Sequence, residues 1–284
     1  MALTYNDVMT YSDKVKGVTG RAVAELRESL SRIDSSDPYT RAYATRRHVM
    51  RVAERYGMQE QELGAQWYEY CAKAAGVDVE PAIVEEIDYG ELDRYYQTVL
   101  QGYTEGDETW EEIEPRVIDS FESQMRGYER NTIISNLDRD HRQEGRRWRQ
   151  TRRAAMKAGY ARVPVGETCA WCYMLASLGY YYRSEETALG AEPDHYHYHC
   201  DCIAVPYNGP DAIEGYDDYE MYFDMYSSAR DAYYAGNYSA DVAARIERAH
   251  AKHDEDYRSG KTDVPWADIN AITIVMRDQQ GLSH

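Results

Sequence analysis

At 284 residues the chain is long enough for one large domain or two modest ones. A formal net charge of −18, from 50 acidic and 32 basic residues, argues against a protein that coats DNA with its whole surface, because like charge repels phosphate. No apolar run approaches the ~18–20 residues of a membrane-spanning helix, and the opening Met-Ala-Leu-Thr-Tyr-Asn-Asp has neither the basic nor the apolar part of a secretory signal. A chain made in a reducing cytoplasm is therefore expected, where clustered cysteines serve as metal ligands more often than as disulfides. The 28 tyrosines against 2 phenylalanines reconcile 43% hydrophobic residues with a mean hydropathy of −0.76. Such aromatic area suits half-buried surfaces and interfaces, where the ring packs and the hydroxyl stays wet, or equally a use of Tyr in place of Phe in small helical cores.

Helical periodicity opens the chain. Val15, Val18, Val23, Leu26, Leu30 and Ile33 recur at three- to five-residue steps and predict a helix from Tyr5 to about Ile33. Ser35-Ser36-Asp37-Pro38 breaks it, with Asp37 held extended before the proline. A second helix is expected from Tyr39 to Tyr56, stopped by Gly57, and a third from about Gln59 to Ala75, stopped by Gly76. Cys71 has no cysteine or histidine near it in sequence and reads as a buried thiol acting as a small hydrophobe. Val77 to Pro81 reads as extended and Tyr89 to Leu100 as helical. An acidic turn with a cap at Thr109 leads into a long helical pattern from Trp110 through Ile118, Phe121, Met125 and Ile133.

Between Arg139 and Arg162 the sign of the charge reverses. On a helix, Arg142, Arg146, Arg149 and Arg153 fall on one face at three- and four-residue steps. One reading is a solvated face whose arginines pair with the chain's own carboxylates. The other is contact with nucleic acid or an acidic neighbour, for which arginine, with its bidentate fork, suits better than lysine.

Four of the 5 cysteines and three of the 8 histidines then fall between Cys169 and Cys202. The stretch opens Cys169-Ala-Trp-Cys172 and closes His195-Tyr-His197-Tyr-His199-Cys200-Asp-Cys202. Two closely spaced pairs from separate segments supply the four soft ligands of a tetrahedral zinc site. Cys169-x-x-Cys172 is a standard half-site, whereas Cys200-x-Cys202 needs a turn or bulge to aim both sulfurs at one ion. A structural zinc, a catalytic metal and a redox pair all remain open from the letters, and so does His197 or His199 in place of one cysteine. A deaminase would need His-x-Glu or Cys-x-Glu upstream and a proline where Thr168 stands. A His-Asn-His type nuclease would need a histidine soon after Asn208, and none comes before His250. Neither a serine-hydrolase elbow nor a phosphate-binding loop is present. A non-enzymatic role is expected.

After a short strand at Ile203–Pro206, residues from Tyr216 to Tyr238 are crowded with Tyr and Asp. Ser239 caps a further helix ending near Gly260, and the apolar segment from Val264 to Met276 is expected to dock on the body or on a partner. The whole reads as mainly α in three parts. Residues 1–130 form a long helical N-terminal part, 131–210 a basic helix with a small zinc-stapled α+β module, and 211–284 an acidic, Tyr-rich helical tail.

Thr168-Cys-Ala-Trp-Cys172-Tyr-Met-Leu-Ala-Ser-Leu-Gly179, then His197-Tyr-His-Cys200-Asp-Cys202 leading into Val205-Pro206, resembles the phage Mu F-like minor head proteins. In particular it looks like the actinobacterial phage branch of those minor capsid proteins. Cys169 and Cys172 match the opening motif, and His197, Cys200 and Cys202 match the closing His-x-x-Cys-x-Cys. The helical first part and the late Pro265-Trp266 with Ile272-Thr273 agree in general character. Asp201 stands where the family's residue is often basic, which tells against a nucleic-acid role for that loop. The resemblance implies a component of the virion, made in the host cytoplasm and built in near the portal during procapsid assembly. Its partners would be portal protein and major capsid or scaffold protein, with packaged DNA as a further candidate through Arg142, Arg146, Arg149 and Arg153. The expected ligands of a structural Zn2+ are Cys169, Cys172, Cys200 and Cys202, with His197 competing for the fourth place. Proteins of this branch are sometimes labelled capsid maturation proteases; no Ser/His/Asp arrangement supports that label here, and it stands as the alternative.

Overall fold

The structure, a computed structural model, describes residues 2–84, 86–147 (backbone alone for 141–147), 160–166, 168–177, 202–260, 262 and 265–282. The described residues are mainly helical, as expected, and they group into two compact units. One takes in residues from Asn6 through the long helices up to 147; the other takes in Ala2–Tyr5, the strands and the remaining helices.

The first unit is built on three long helices: α1 (Tyr5–Ser31), α2 (Pro38–Ala74) and α5 (Trp110–Arg147). Asp37 is extended, as expected before a proline, and its carboxylate accepts the Thr40 N–H at 2.8 Å, so α2 begins with a side-chain cap and Pro38 in its first turn. α1 and α2 run antiparallel. Tyr11 stacks on Trp67 with ring centroids 4.5 Å apart, Thr19 reaches Glu60, and Arg55 reaches Glu25. α2 and α5 run parallel, with Arg41 lying 4.7 Å over the Trp110 ring at one end and the Tyr68 hydroxyl near the Asn136 carbonyl at the other. Two short helices, α3 (Tyr89–Val99) and α4 (Gln101–Glu105), bring the chain back. Leu26, Val49, Val52, Tyr96, Ile113 and Phe121 are among the residues that fill the core between them.

The expected break at Gly57 is corrected: α2 passes through it without interruption. A Cβ there would stand 2.5 Å from the Ile87 side chain and 3.2 Å from the Tyr128 ring. Close packing therefore outweighs the roughly 1 kcal/mol that glycine costs inside a helix. At Gly76 the stop is real. Its φ of +67° favours glycine, and the Val77 N–H turns back to the Ala72 carbonyl at 2.9 Å. At Thr109, where a cap was expected, the backbone N–H donates to Glu112 at 2.8 Å, half of a reciprocal capping box.

A polar network lies buried inside this unit. Thr19 donates to Glu60 at 2.6 Å, Tyr11 donates to Glu129 at 2.7 Å, and the Arg130 guanidinium stands 3.5 Å from Glu129. Burial pushes the Glu60 carboxyl up to about 8, and nearby Glu129 adds to the rise, against the Thr19 hydrogen bond and the positive Arg126 and Arg130. Burial and Glu129 likewise raise the Tyr11 phenol far above its ordinary value.

In the second unit β1 (Leu3–Thr4) pairs parallel with β4 (Ile213–Glu214), while β2 (Tyr160–Pro164) pairs antiparallel with β3 (Cys202–Pro206). Every residue of β2 and β3 is buried. α6 (Ala170–Ser177) follows β2 through Gly166, whose φ is +105°. Its described residues also form α7 (Asp218–Ala235), α8 (Ala240–Arg258), capped by Ser239 as expected, and α9 (Asp268–Gln280). Ala271, Ile272, Val275 and Met276 of α9 are buried, and α9 packs on α6 and α7, so the late apolar segment docks within the chain's own second unit. Among the described residues no helix is long and apolar enough to cross a membrane.

The basic segment divides. α5 is unbroken through residues 130 and 131, and its backbone carries Arg142 and Arg146. Arg149 and Arg153 lie outside the described residues. Arg162 is no member of that helix. It sits in β2 opposite Ala204, buried to 1% exposure, because strand pairing takes over before the sequence turns neutral. Arg139 is tied internally, donating to the carbonyls of Glu80 and Pro81 and to the Asp140 carboxylate.

Candidate metal centre

Three of the five expected ligands fall on described residues, and all three belong to the second unit. Cys169 lies at the mouth of α6, between the β2–α6 turn and the first helical residue. Its sulfur accepts the Cys172 backbone N–H at 3.4 Å, the N–H···S bond that a Cys-x-x-Cys pair makes when the second cysteine enters a helix. Cys172 is buried on α6. Cys202 is the first residue of β3 and pairs with Pro164, the last residue of β2, so the strand ladder carries it to the edge from which the chain turns towards Cys169.

Tyr173 ties the two segments together. Its phenol is pushed up first by burial, then by the Cys202 thiol, by Asp218 and by the Cys169 thiol. One side chain thus feels cysteines from both halves of the sequence cluster. Around it stand further tyrosines: Tyr222 lies 4.6 Å from the Tyr173 ring, and Tyr5 stacks on Tyr216 at 5.4 Å. Burial raises the phenols of Tyr216 and Tyr222 well above their usual range. The Tyr5 hydroxyl lies 3.5 Å from the Pro164 carbonyl at the end of β2. This aromatic wall and Asp218 were missed by spacing arguments. Only Tyr173 carried a signal, since it follows Cys172 directly.

Cys200 and His197, with His195 and His199, lie outside the described residues. Among the described residues no group of three or more His, Cys, Asp or Glu side chains could by itself hold a metal ion. No disulfide joins Cys71, Cys169, Cys172 or Cys202. The donors suit a soft or borderline ion in their chemistry: sulfurs from two segments, one already accepting a backbone N–H. Cys71 stands apart on α2, fully buried, its thiol raised by burial and then by Asp7, which fits the packing role expected of it.

The family described as VG15 protein matches residues 2–229 of the chain. No curated protein and no solved structure matches.

Proposed function

The chain belongs to the VG15 protein family, and from that premise we propose that it is a phage minor capsid protein of the Mu F-like kind. Its role is structural, in the virion, contacting portal protein and major capsid or scaffold protein while the procapsid is assembled in the host cytoplasm and DNA is packaged or ejected. The observation that carries this reading is the small module of β2, β3 and α6. It presents Cys169, Cys172 and Cys202 around Tyr173, and in the sequence Cys200 and His197 complete the closing motif. A zinc ion held by Cys169, Cys172 and Cys202 with Cys200 or His197 would act as a staple, since the binding energy of a structural site is folding energy. Bound zinc supplies cross-linking here. The chain's own residues do the rest: α6 fixes Cys172, the β2–β3 ladder fixes Cys202, and the tyrosines close the surface around them.

The deciding experiment is co-expression with portal and coat proteins of the same phage, followed by co-purification and metal analysis. The reading expects a stable complex with portal or coat and about one zinc per chain. Neither complex nor zinc would overturn it. Specific cleavage of coat or scaffold during the same co-expression would replace it with the maturation-protease reading.

A further inference from the structure

One stretch of the first unit carries a charge balance opposite to that of the whole molecule. Between Arg21 and Arg55 there are eight arginines and no lysine against five carboxylates, in a chain whose net charge is −18. On α2 this charge is ordered. Tyr39, Tyr43, Arg47, Arg51 and Arg55 recur at every fourth residue and form one ridge on the face away from Ala42, Val49, Val52 and Ala53 of the core. The two tyrosines are 69% and 60% exposed and pack on no other ring among the described residues, although a ring of that size usually finds cover.

Two of the three arginines along the ridge, Arg47 and Arg51, have no carboxylate partner among the described residues. Arg51 donates to the Ser29 hydroxyl at 3.0 Å and pairs with His48 Nδ1 at 2.9 Å, both uncharged partners. Burial and Arg51 lower the imidazole below its ordinary range, which keeps it a neutral acceptor. Arg47 and Arg21 have neither hydrogen bond nor ion pair among the described residues. Arg55 is gripped by both oxygens of Glu25 at 2.8 Å, and Arg32 pairs with Glu28. Arg21, Arg32, Arg51 and Arg55 face one another across the groove between α1 and α2, where Glu25 and Glu28 are the only carboxylates.

We propose that this ridge of α2, with the arginine-lined groove beside it, is a binding face for single-stranded nucleic acid. Guanidinium groups without carboxylate partners take the phosphates, and exposed tyrosine rings take the unstacked bases, the combination that binds single strands with little regard to sequence. The ridge spans roughly 24 Å at 1.5 Å per residue, enough for about four nucleotides. An acidic peptide would use the arginines but would leave both tyrosine rings without a role. The face is made of other residues than the arginines at 142–153 and does not depend on the assembly reading.

The test is fluorescence anisotropy of the full chain with labelled oligothymidylate and oligouridylate, over a series of salt concentrations. The wild type is expected to bind either strand, with affinity falling as salt rises. Arg47→Ala/Arg51→Ala should lower the affinity about tenfold or more and flatten the logarithmic salt slope by roughly 1.4. Tyr39→Ala/Tyr43→Ala should weaken binding by a similar factor with the slope unchanged. Substituting Arg142, Arg146, Arg149 and Arg153 by alanine should leave binding in place. Circular dichroism of each variant should match the wild type, since every substituted side chain on the ridge is exposed. No binding at low salt, full affinity in the tyrosine variant, or equal displacement by polyglutamate or by duplex DNA would each overturn the proposal.

Discussion

Gly64→Ala tests the close approach of α2 to α5. In an ordinary helix this change stabilises by about 1 kcal/mol, because glycine gives up more backbone freedom on folding than alanine. Here a Cβ would come 2.4 Å from the Glu129 carbonyl oxygen and 3.1 Å from its carbonyl carbon and Cα. Those are backbone atoms inside a long helix, so no rotamer change relieves the clash, and the two helices must separate by about 1 Å to restore an ordinary contact. Overpacking of that kind costs about 1–3 kcal/mol, and Glu129 belongs to the buried polar network, whose hydrogen bonds would be stretched as well. The net expectation is a loss of about 1–2 kcal/mol, or roughly 2–8 °C in Tm for a protein of this size. The same substitution at Gly20 of α1 and Gly127 of α5, where nothing lies within 4 Å of the added atom, should raise the Tm instead. Thermal unfolding followed by circular dichroism separates the three. A Gly64→Ala protein as stable as the Gly20→Ala protein would refute the parallel α2–α5 packing.

Glu60→Gln should leave stability unchanged near pH 4 and raise it progressively above that, because the folded carboxyl titrates near 8 and the unfolded one near 4.5. The folded state holds its proton across that window, so the wild type loses stability as pH rises, by about 1.4 kcal/mol per unit at most, and levels off above 8. Urea titrations at pH 4, 6 and 9 measure the difference, and parallel pH profiles for the two proteins would rule it out. Tyr11→Phe removes the 2.7 Å bond to Glu129 and should cost about 1–3 kcal/mol, read from the same titrations. Cys202→Ala should lower both the zinc content and the melting temperature of the second unit, as should a strong chelator on the wild type. A metal-free variant that melts like the wild type would remove zinc from the account.

Which glycine ends a helix was legible in one case and not in the other. Gly57 and Gly76 look alike in the sequence, each following a helical run. Gly76 ends α2 through its own backbone, in a local turn that needs only the residues around it. Gly57 stays helical because Ile87 and Tyr128, far along the chain, crowd the place where a Cβ would be. Periodicity reports which face of a helix is apolar, and here it located α1, α3, α5 and α8 closely. It carries no information on how near another helix will come. The buried Glu60–Glu129 pair was hidden for the same reason. Each carboxylate sits in a stretch that reads as an ordinary solvated helix face, and only the convergence of three helices buries them together.

The cysteine cluster divides along the same line. Cys169 and Cys172 are joined by helical geometry over three residues, so their spacing was enough to predict their association, and the N–H···S bond is its local expression. Cys202 reaches that neighbourhood through β2 and β3, a pairing that the short apolar runs 160–165 and 202–206 permit but do not specify. Arg162 marks where this failed: it continued the run of arginines in the sequence, yet it is a strand residue in the module's interior. The tyrosine excess left two readings open, wet interfaces and tyrosine in place of phenylalanine in the core, and Tyr39 and Tyr43 fit the first. Tyr5, Tyr173, Tyr216 and Tyr222 fit the second. They gather in one place, and burial raises all their phenols, so they remain protonated and serve as uncharged packing beside sulfur. A chain with almost no phenylalanine has to build its apolar walls from tyrosine, and the same residue type therefore closes the candidate metal centre and lines the exposed ridge of α2. Only solvent exposure tells the two uses apart, and exposure is a property of the fold.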